Sequence, residues 1–161
     1  MYLANKLVAL TALTLALSAP AFAPAIAQDA KAIDGAVKAR KAQMALYAFN
    51  LGILGTMAKG QSDYDATVAQ GAASSLLALT RLDASQMWPA GSEQGAAAGS
   101  RAKPEMWNNM DDVIAKAMAM QAAAEVMDGA AGQGLEAMQA AMGGVGGACS
   151  ACHKAYRGPK G

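Results

Sequence analysis

Gly147-Ala148-Cys149-Ser150-Ala151-Cys152-His153-Lys154 holds both cysteines and the one histidine of a 161-residue chain. The pattern C-x-x-C-H is the attachment signal for c-type haem. Its spacing has a chemical reason. Two thiols three residues apart lie on one helical face, where each can add to a vinyl group of the porphyrin. The next residue then turns its imidazole toward the iron as an axial ligand.

Other uses of the motif fit less well. A redox C-x-x-C opens a helix after a strand in an α/β fold, whereas this one closes the chain and no strand pattern precedes it. A structural zinc site takes about four ligands, and the sequence has three Cys and His residues in all. An accidental pair is uncommon in a secreted chain. The reading that remains is one covalent haem c per chain, bound through Cys149 and Cys152, with His153 as the iron ligand. The rest of the sequence then has to supply a container.

Upstream of the motif, Leu135, Met138, Met142, Val145, Cys149, Cys152 and Tyr156 recur at intervals of three and four. That is one face of a helix, with both cysteines pointing inward. Gly143, Gly144, Gly146 and Gly147 interrupt it, each costing about 1 kcal/mol against alanine. Either haem packing offsets that cost, or the helix breaks there and a short separate helix carries the motif. Lys154, Arg157 and Lys160 suit the negative end of the helix dipole.

The same spacing runs through Ile33, Val37, Arg40, Met44, Tyr47, Leu51, Leu54 and Ala58, which predicts a first helix over 29–58. Arg40 is the charged exception in that apolar line. It must snorkel outward or find an anion, and a haem propionate would serve. Lys59, Gly60 and Gln61 end this helix. Ser62-Asp63 offers an N-cap for a second, running to about Leu82 and burying Val68, Ala72, Leu76 and Leu79. The stretch from Asp83 to Lys103 is irregular, with Pro89 and three glycines, and Trp88 as an anchor. A third helix is expected from Pro104 to Asp128, with Met106, Met110, Val113, Ala117, Met120, Ala124 and Met127 inward. Methionines spaced this way read as an adaptable core rather than a ligand set.

The N-terminus reads differently. Asn5-Lys6, the apolar run Leu7–Leu17 and Ala25-Ile26-Ala27 form a secretory signal, residues 1–27, with Ala21-Phe22-Ala23 as the alternative cleavage site. The run is too short for a permanent span. One domain, residues 28–161, follows. The chain has 13 basic and 12 acidic residues, and losing the leader removes Lys6 and no acid. A neutral mature chain points to neither nucleic acid nor an anionic membrane.

Four amphipathic helices, a long second crossover and the terminal motif together resemble cytochrome c′, an all-α family of antiparallel up-down-up-down four-helix bundles. The stretches that carry the resemblance are Asn50-Leu51-Gly52, Lys59-Gly60, Pro104-Glu105-Met106-Trp107, Val145-Gly146 and Cys149 through Arg157. The resemblance implies a periplasmic, five-coordinate haem with His153 as sole protein ligand and Met44 covering the opposite face. It implies Arg40 near a propionate and Arg157 near the proximal histidine. It further implies a homodimer through the first two helices, and binding of nitric oxide and carbon monoxide. The same methionine could instead ligate the iron, giving a low-spin electron carrier. An enzyme is not expected, because peroxide activation wants distal acid–base groups and the histidine is already used.

Overall fold

The computed structural model describes residues 23–160; most of the expected leader, 1–27, lies outside them. Four helices carry the fold: α1 (Ala23–Ala58), α2 (Ala66–Thr80), α3 (Met110–Ala130) and α4 (Leu135–Tyr156). Each packs on its chain neighbour, and α1 closes against α4. The periodicity predicts four helices, and their arrangement is the all-α, antiparallel up-down-up-down bundle that the resemblance implies. Among the described residues the β-structure is one isolated bridge, Ala102 with Arg157.

The two short connections meet at one end of the bundle. The Tyr64 hydroxyl donates to Ala131 O at 2.7 Å and accepts from Gly134 N at 3.0 Å. Gln139 Nε2 reaches across to Ala58 O, one of the carbonyls left open at the end of α1. Above this end lies the main core. Leu54, Leu76, Met127, Met138 and Val145 are fully buried there, each contributing about 1.5–3 kcal/mol by leaving water. Ala69, Ala72, Ala73, Ala131 and Ala141 fill the space between them and let the helices approach closely.

Three boundaries differ from expectation: α1 begins at Ala23 and not at 29, and the starts of α2 and α3 also move. α2 is capped by Asp65, whose carboxylate accepts from Val68 N at 2.9 Å, and not by Ser62-Asp63. A carboxylate three residues before a free N–H satisfies one of the orphan donors. The buried face of α2 is Ala69, Ala72, Ala73, Leu76 and Leu77, so Val68 is exposed. Ala72 and Leu76 lie inward as expected and Leu79 is partly buried, while Ala69, Ala73 and Leu77 widen the face on the side away from Val68. Pro104 opens a 3-10 turn, Pro104–Met106, and α3 starts after a break at Trp107–Asn109. By contrast, α4 runs unbroken through its four glycines.

The long crossover, 81–109, folds over the other end. Its Trp88 and Trp107 meet edge to face, with ring centroids 6.4 Å apart. They pack with Ala102, Met106, Val113 and Tyr156 into a second, smaller apolar cluster, which includes Cys152.

Candidate functional site

Cys149 and Cys152 stand one turn apart on the inward face of α4, both free thiols and both half-buried. Cys149 belongs to the main core. Its Sγ lies 3.8 Å from Met120 Sδ, and Tyr47 of α1 packs on the same cluster. Cys152 belongs to the crossover cluster. The pair therefore sits where the two clusters meet. Burial pushes both thiols above their ordinary range. A redox C-x-x-C wants a stabilised thiolate, and this environment does the opposite.

His153 is half-buried beside them. Burial lowers its pKa first, and the positive charges of Arg157 and Arg101 lower it further. The imidazole is thereby held neutral, the form that binds a metal. Among the described residues no three His, Cys, Asp or Glu side chains converge on a bare-ion site. The donor set suits a metal that brings its own equatorial ligands, which is what a porphyrin does.

Arg40 is 4% exposed, so it does not snorkel. Its guanidinium donates to Met87 O at 3.1 Å, to Ser92 Oγ at 2.7 Å and to Ser100 Oγ at 2.6 Å, and also to Ser92 O. It lies 4.8 Å from the Trp88 ring centroid. Carbonyls, hydroxyls and a π-face surround it, and no carboxylate pairs with it among the described residues. Burial lowers its pKa, while the charge of Glu93 partly opposes this. The structure thus holds a buried cation with polar but uncharged neighbours, at the level of the Cys152 cluster through Trp88.

Met44 is one turn along α1 from Arg40 and 42% exposed. It falls between two levels of α1, since Arg40 touches the cluster of Cys152 and Tyr47 the cluster of Cys149. Arg157 caps α4, its N–H donating to His153 O at 3.0 Å. It lines an open cavity of about 570 Å³ with Arg101, Ser150, His153, Lys154, Gly158 and Pro159.

Several participants were not singled out in the sequence. Tyr156 donates to Asp112 Oδ2 at 2.5 Å, while Lys116 holds Asp112 Oδ1 at 2.8 Å. Both charges act on Cys152. The hydrogen bond to Asp112, helped by burial, pushes the Tyr156 phenol up to about 12. Burial near Cys149 does the same to Tyr47, also to about 12. Ser92, Ser100 and Arg101 come from the crossover, where no periodicity marks a face. Tyr156 was legible on the α4 seam, but its partner on α3 was not.

Two half-buried thiols and an imidazole thus lie side by side on one helix of a four-helix bundle. The family described as Cytochrome C′ matches residues 35–157. The chain is 43% identical over 134 residues to cytochrome c-554 of Cereibacter sphaeroides, covering 83% of this chain and 88% of that one. Its fold superposes on a solved cytochrome c′ from Rhodobacter sphaeroides with a TM-score of 0.77 and 38% identity, over 80% of this chain and 98% of that one. A ferrous variant of the Alcaligenes xylosoxidans cytochrome c′ with bound NO matches at TM-score 0.68 and 33% identity, over 78% and 94%. The chain belongs to the cytochrome c′ family, and membership implies covalently bound haem c.

Proposed function

We propose that this chain is a periplasmic haem protein that binds nitric oxide or carbon monoxide and exchanges single electrons. The observation that carries the reading is the set Cys149, Cys152 and His153, two protonated thiols and a neutral imidazole at the junction of two apolar clusters. Haem c held there supplies an iron that takes a diatomic ligand and moves between ferrous and ferric.

The chain's own residues fit that group. Cys149 and Cys152 provide thioether sulfurs on one face, and His153 the axial nitrogen. Arg40 offers a buried positive charge without a carboxylate partner among the described residues, which a propionate would neutralise. Burial, and then the positive charge of Arg157 beside it, favours the unprotonated ring of His153. Met44, on the α1 face between the levels of Cys152 and Cys149, would lie over the bound haem as an apolar cover. An apolar cover disfavours ligands that need a hydrogen bond and leaves room for a small gas. Catalytic turnover is not part of the proposal, because the sole histidine is used.

The NO-bound relative supports the gas-binding part. Leu46 at 50%, Phe49 at 65% and Val68 at 47% exposure give α1 and α2 an apolar outer face, which a second copy would cover to make a homodimer. No helix among the described residues is long and apolar enough to cross a membrane. The leader, cleaved to begin the chain near Gln28, would deliver it to the periplasm.

The test uses protein matured in a host that attaches haem. Pigment should survive acid–acetone extraction, the ferric iron should be high-spin at neutral pH, and stoichiometric nitric oxide should give a nitrosyl spectrum. A low-spin iron that ignores the gas would assign Met44 as sixth ligand and refute the reading. Sedimentation as monomer alone at micromolar concentration would remove the homodimer.

A further inference from the structure

The C-terminal end of α4 concentrates positive charge well beyond what the helix terminus uses. From Ala137 to Lys160 the sequence has three cations, Lys154, Arg157 and Lys160, and no acid. The crossover adds two more. Arg101 donates to Gly158 O at 2.9 and 2.6 Å, and Lys103 donates to Ala155 O at 3.1 Å. The Lys103 contact meets an open carbonyl of the helix end, which is the ordinary role of a cation there, and Arg101 ties down the residue just beyond the C-cap.

Lys154 and Arg157 have no such task. The ion pairs of the described residues are Lys38–Asp34, Arg81–Glu125 and Lys116–Asp112, and none involves any of these five cations. The 570 Å³ cavity beside His153 is lined by Arg101, Lys154 and Arg157 and by no carboxylate. At the opposite end, by the two short connections, Asp63, Asp65, Asp128 and Glu136 face one lysine, Lys59. The crossover end also carries Glu93, Glu105, Asp111 and Asp112, so the positive pole is a local one, at the C-terminus of α4 beside His153.

We propose that this pole is the docking surface for a redox protein with an acidic face, one of whose carboxylates enters the cavity beside His153. The inference rests on the haem reading above, and adds the partner's chemistry and the point of electron entry. Opposite charge at the reacting end steers encounter and orients it. One electron passes from the donor, oxidised by one unit, to the ferric iron, reduced to ferrous. A membrane surface is the poorer match. The large exposed apolar residues lie on α1, α2 and α3 and at Leu82, and none lies from Cys149 to Lys160. A basic patch without an apolar insert or net positive charge has little hold on lipid.

The experiment follows reduction of the ferric holoprotein by stopped flow, with reduced flavodoxin as acidic donor and photogenerated neutral flavin semiquinone as uncharged donor. The variants are K154Q/K160Q and K154E/K160E, which leave Arg157 and His153 in place. With flavodoxin, the wild-type rate should fall about tenfold between roughly 10 and 200 mM salt. The charge-reversed variant should be about tenfold slower at low salt, the glutamine variant in between, and all three equal with the neutral flavin. Fully pigmented protein that shows no salt effect, or variants that match wild type, would overturn this proposal alone. Colourless protein would remove the haem reading and this proposal together. Salt-sensitive cosedimentation with phosphatidylglycerol vesicles, alongside a salt-independent flavodoxin rate, would reassign the patch to lipid.

Discussion

Replacing Arg40 by alanine tests whether a buried charge without a carboxylate partner organises the haem end. The guanidinium makes four hydrogen bonds to the crossover, at Met87, Ser92 (two) and Ser100. Bonds from a charged donor contribute about 1.5–3 kcal/mol each in isolation, and the contact with Trp88 adds about 0.5–2 kcal/mol. These gains are offset by the cost of taking the charge out of water, several kcal/mol. The loop also keeps ties of its own, since Ser92 Oγ donates to Pro89 O and Ser100 Oγ to Ser92 O. The net expectation for Arg40→Ala is a loss of about 3 kcal/mol, or roughly 10 °C in Tm for a domain of this size. Arg40→Lys keeps the charge but loses the planar fork, and should cost about half as much. Urea unfolding of the holoprotein, followed by Trp fluorescence and by the haem band, gives both numbers. The two tryptophans, Trp88 and Trp107, report directly on the crossover. A loss under about 1 kcal/mol for alanine, or equal losses for alanine and lysine, would refute the reasoning.

Two further perturbations probe the joint between crossover and tail. A Cβ at Gly158 would lie 2.7 Å from Gln94 Cδ and closer still to its Oε1. Gly158→Ala must push that side chain away from Pro159 O, its acceptor at 3.1 Å, at a cost of about 1 kcal/mol. Gln94→Ala should cost the same, and the double variant no more than either, so additive losses in a thermal-unfolding cycle would contradict the clash. Tyr156→Phe should alter the pH dependence of stability at both extremes. The phenol is raised to about 12, so folding gains from it below its ordinary value near 10 and loses that gain as pH rises toward 12. Asp112 is lowered by its bonds from Lys116 and Tyr156. Its contribution is present above the ordinary carboxylate range and is lost as pH falls through the lowered value. Urea midpoints of wild type and Tyr156→Phe that run parallel from acid to alkali would rule this out.

The sequence made some parts of the molecule legible and left others dark, for physical reasons. The helices α1 and α4 could be read because large residues, such as Val37, Leu54, Met138 and Val145, mark one face without ambiguity. α2 could be located and its centre phased at Ala72 and Leu76, but not the width of its face, because Ala69 and Ala73 are buried while Ala66 and Ala78 are exposed, and alanine looks the same on either side. Pro104 was a true start signal, but of a short turn, since Asn108-Asn109 interrupt before Met110. Where the candidate site is local, the motif's spacing was enough to expect Cys149, Cys152 and His153 together on one turn of α4, and the structure places them so. Arg40 stood out as a charge in an apolar line, yet its surroundings come from residues 47 to 60 positions away. Serine hydroxyls and backbone carbonyls carry no pattern that announces such a destination.

The four glycines of α4 have one more consequence. They lie toward solvent, and only Gly144 has a neighbouring side chain within 4 Å of where its Cβ would be. Relative to alanine they weaken the helix by about 3–4 kcal/mol in total. The turn before Cys149 is therefore held by tertiary contacts on its inner side more than by its own ladder. In an unfolded chain those contacts are not yet formed, so the segment bearing the thiols unwinds there at low cost. Both sulfurs are then open to attack at that turn before any other part of α4 has to yield.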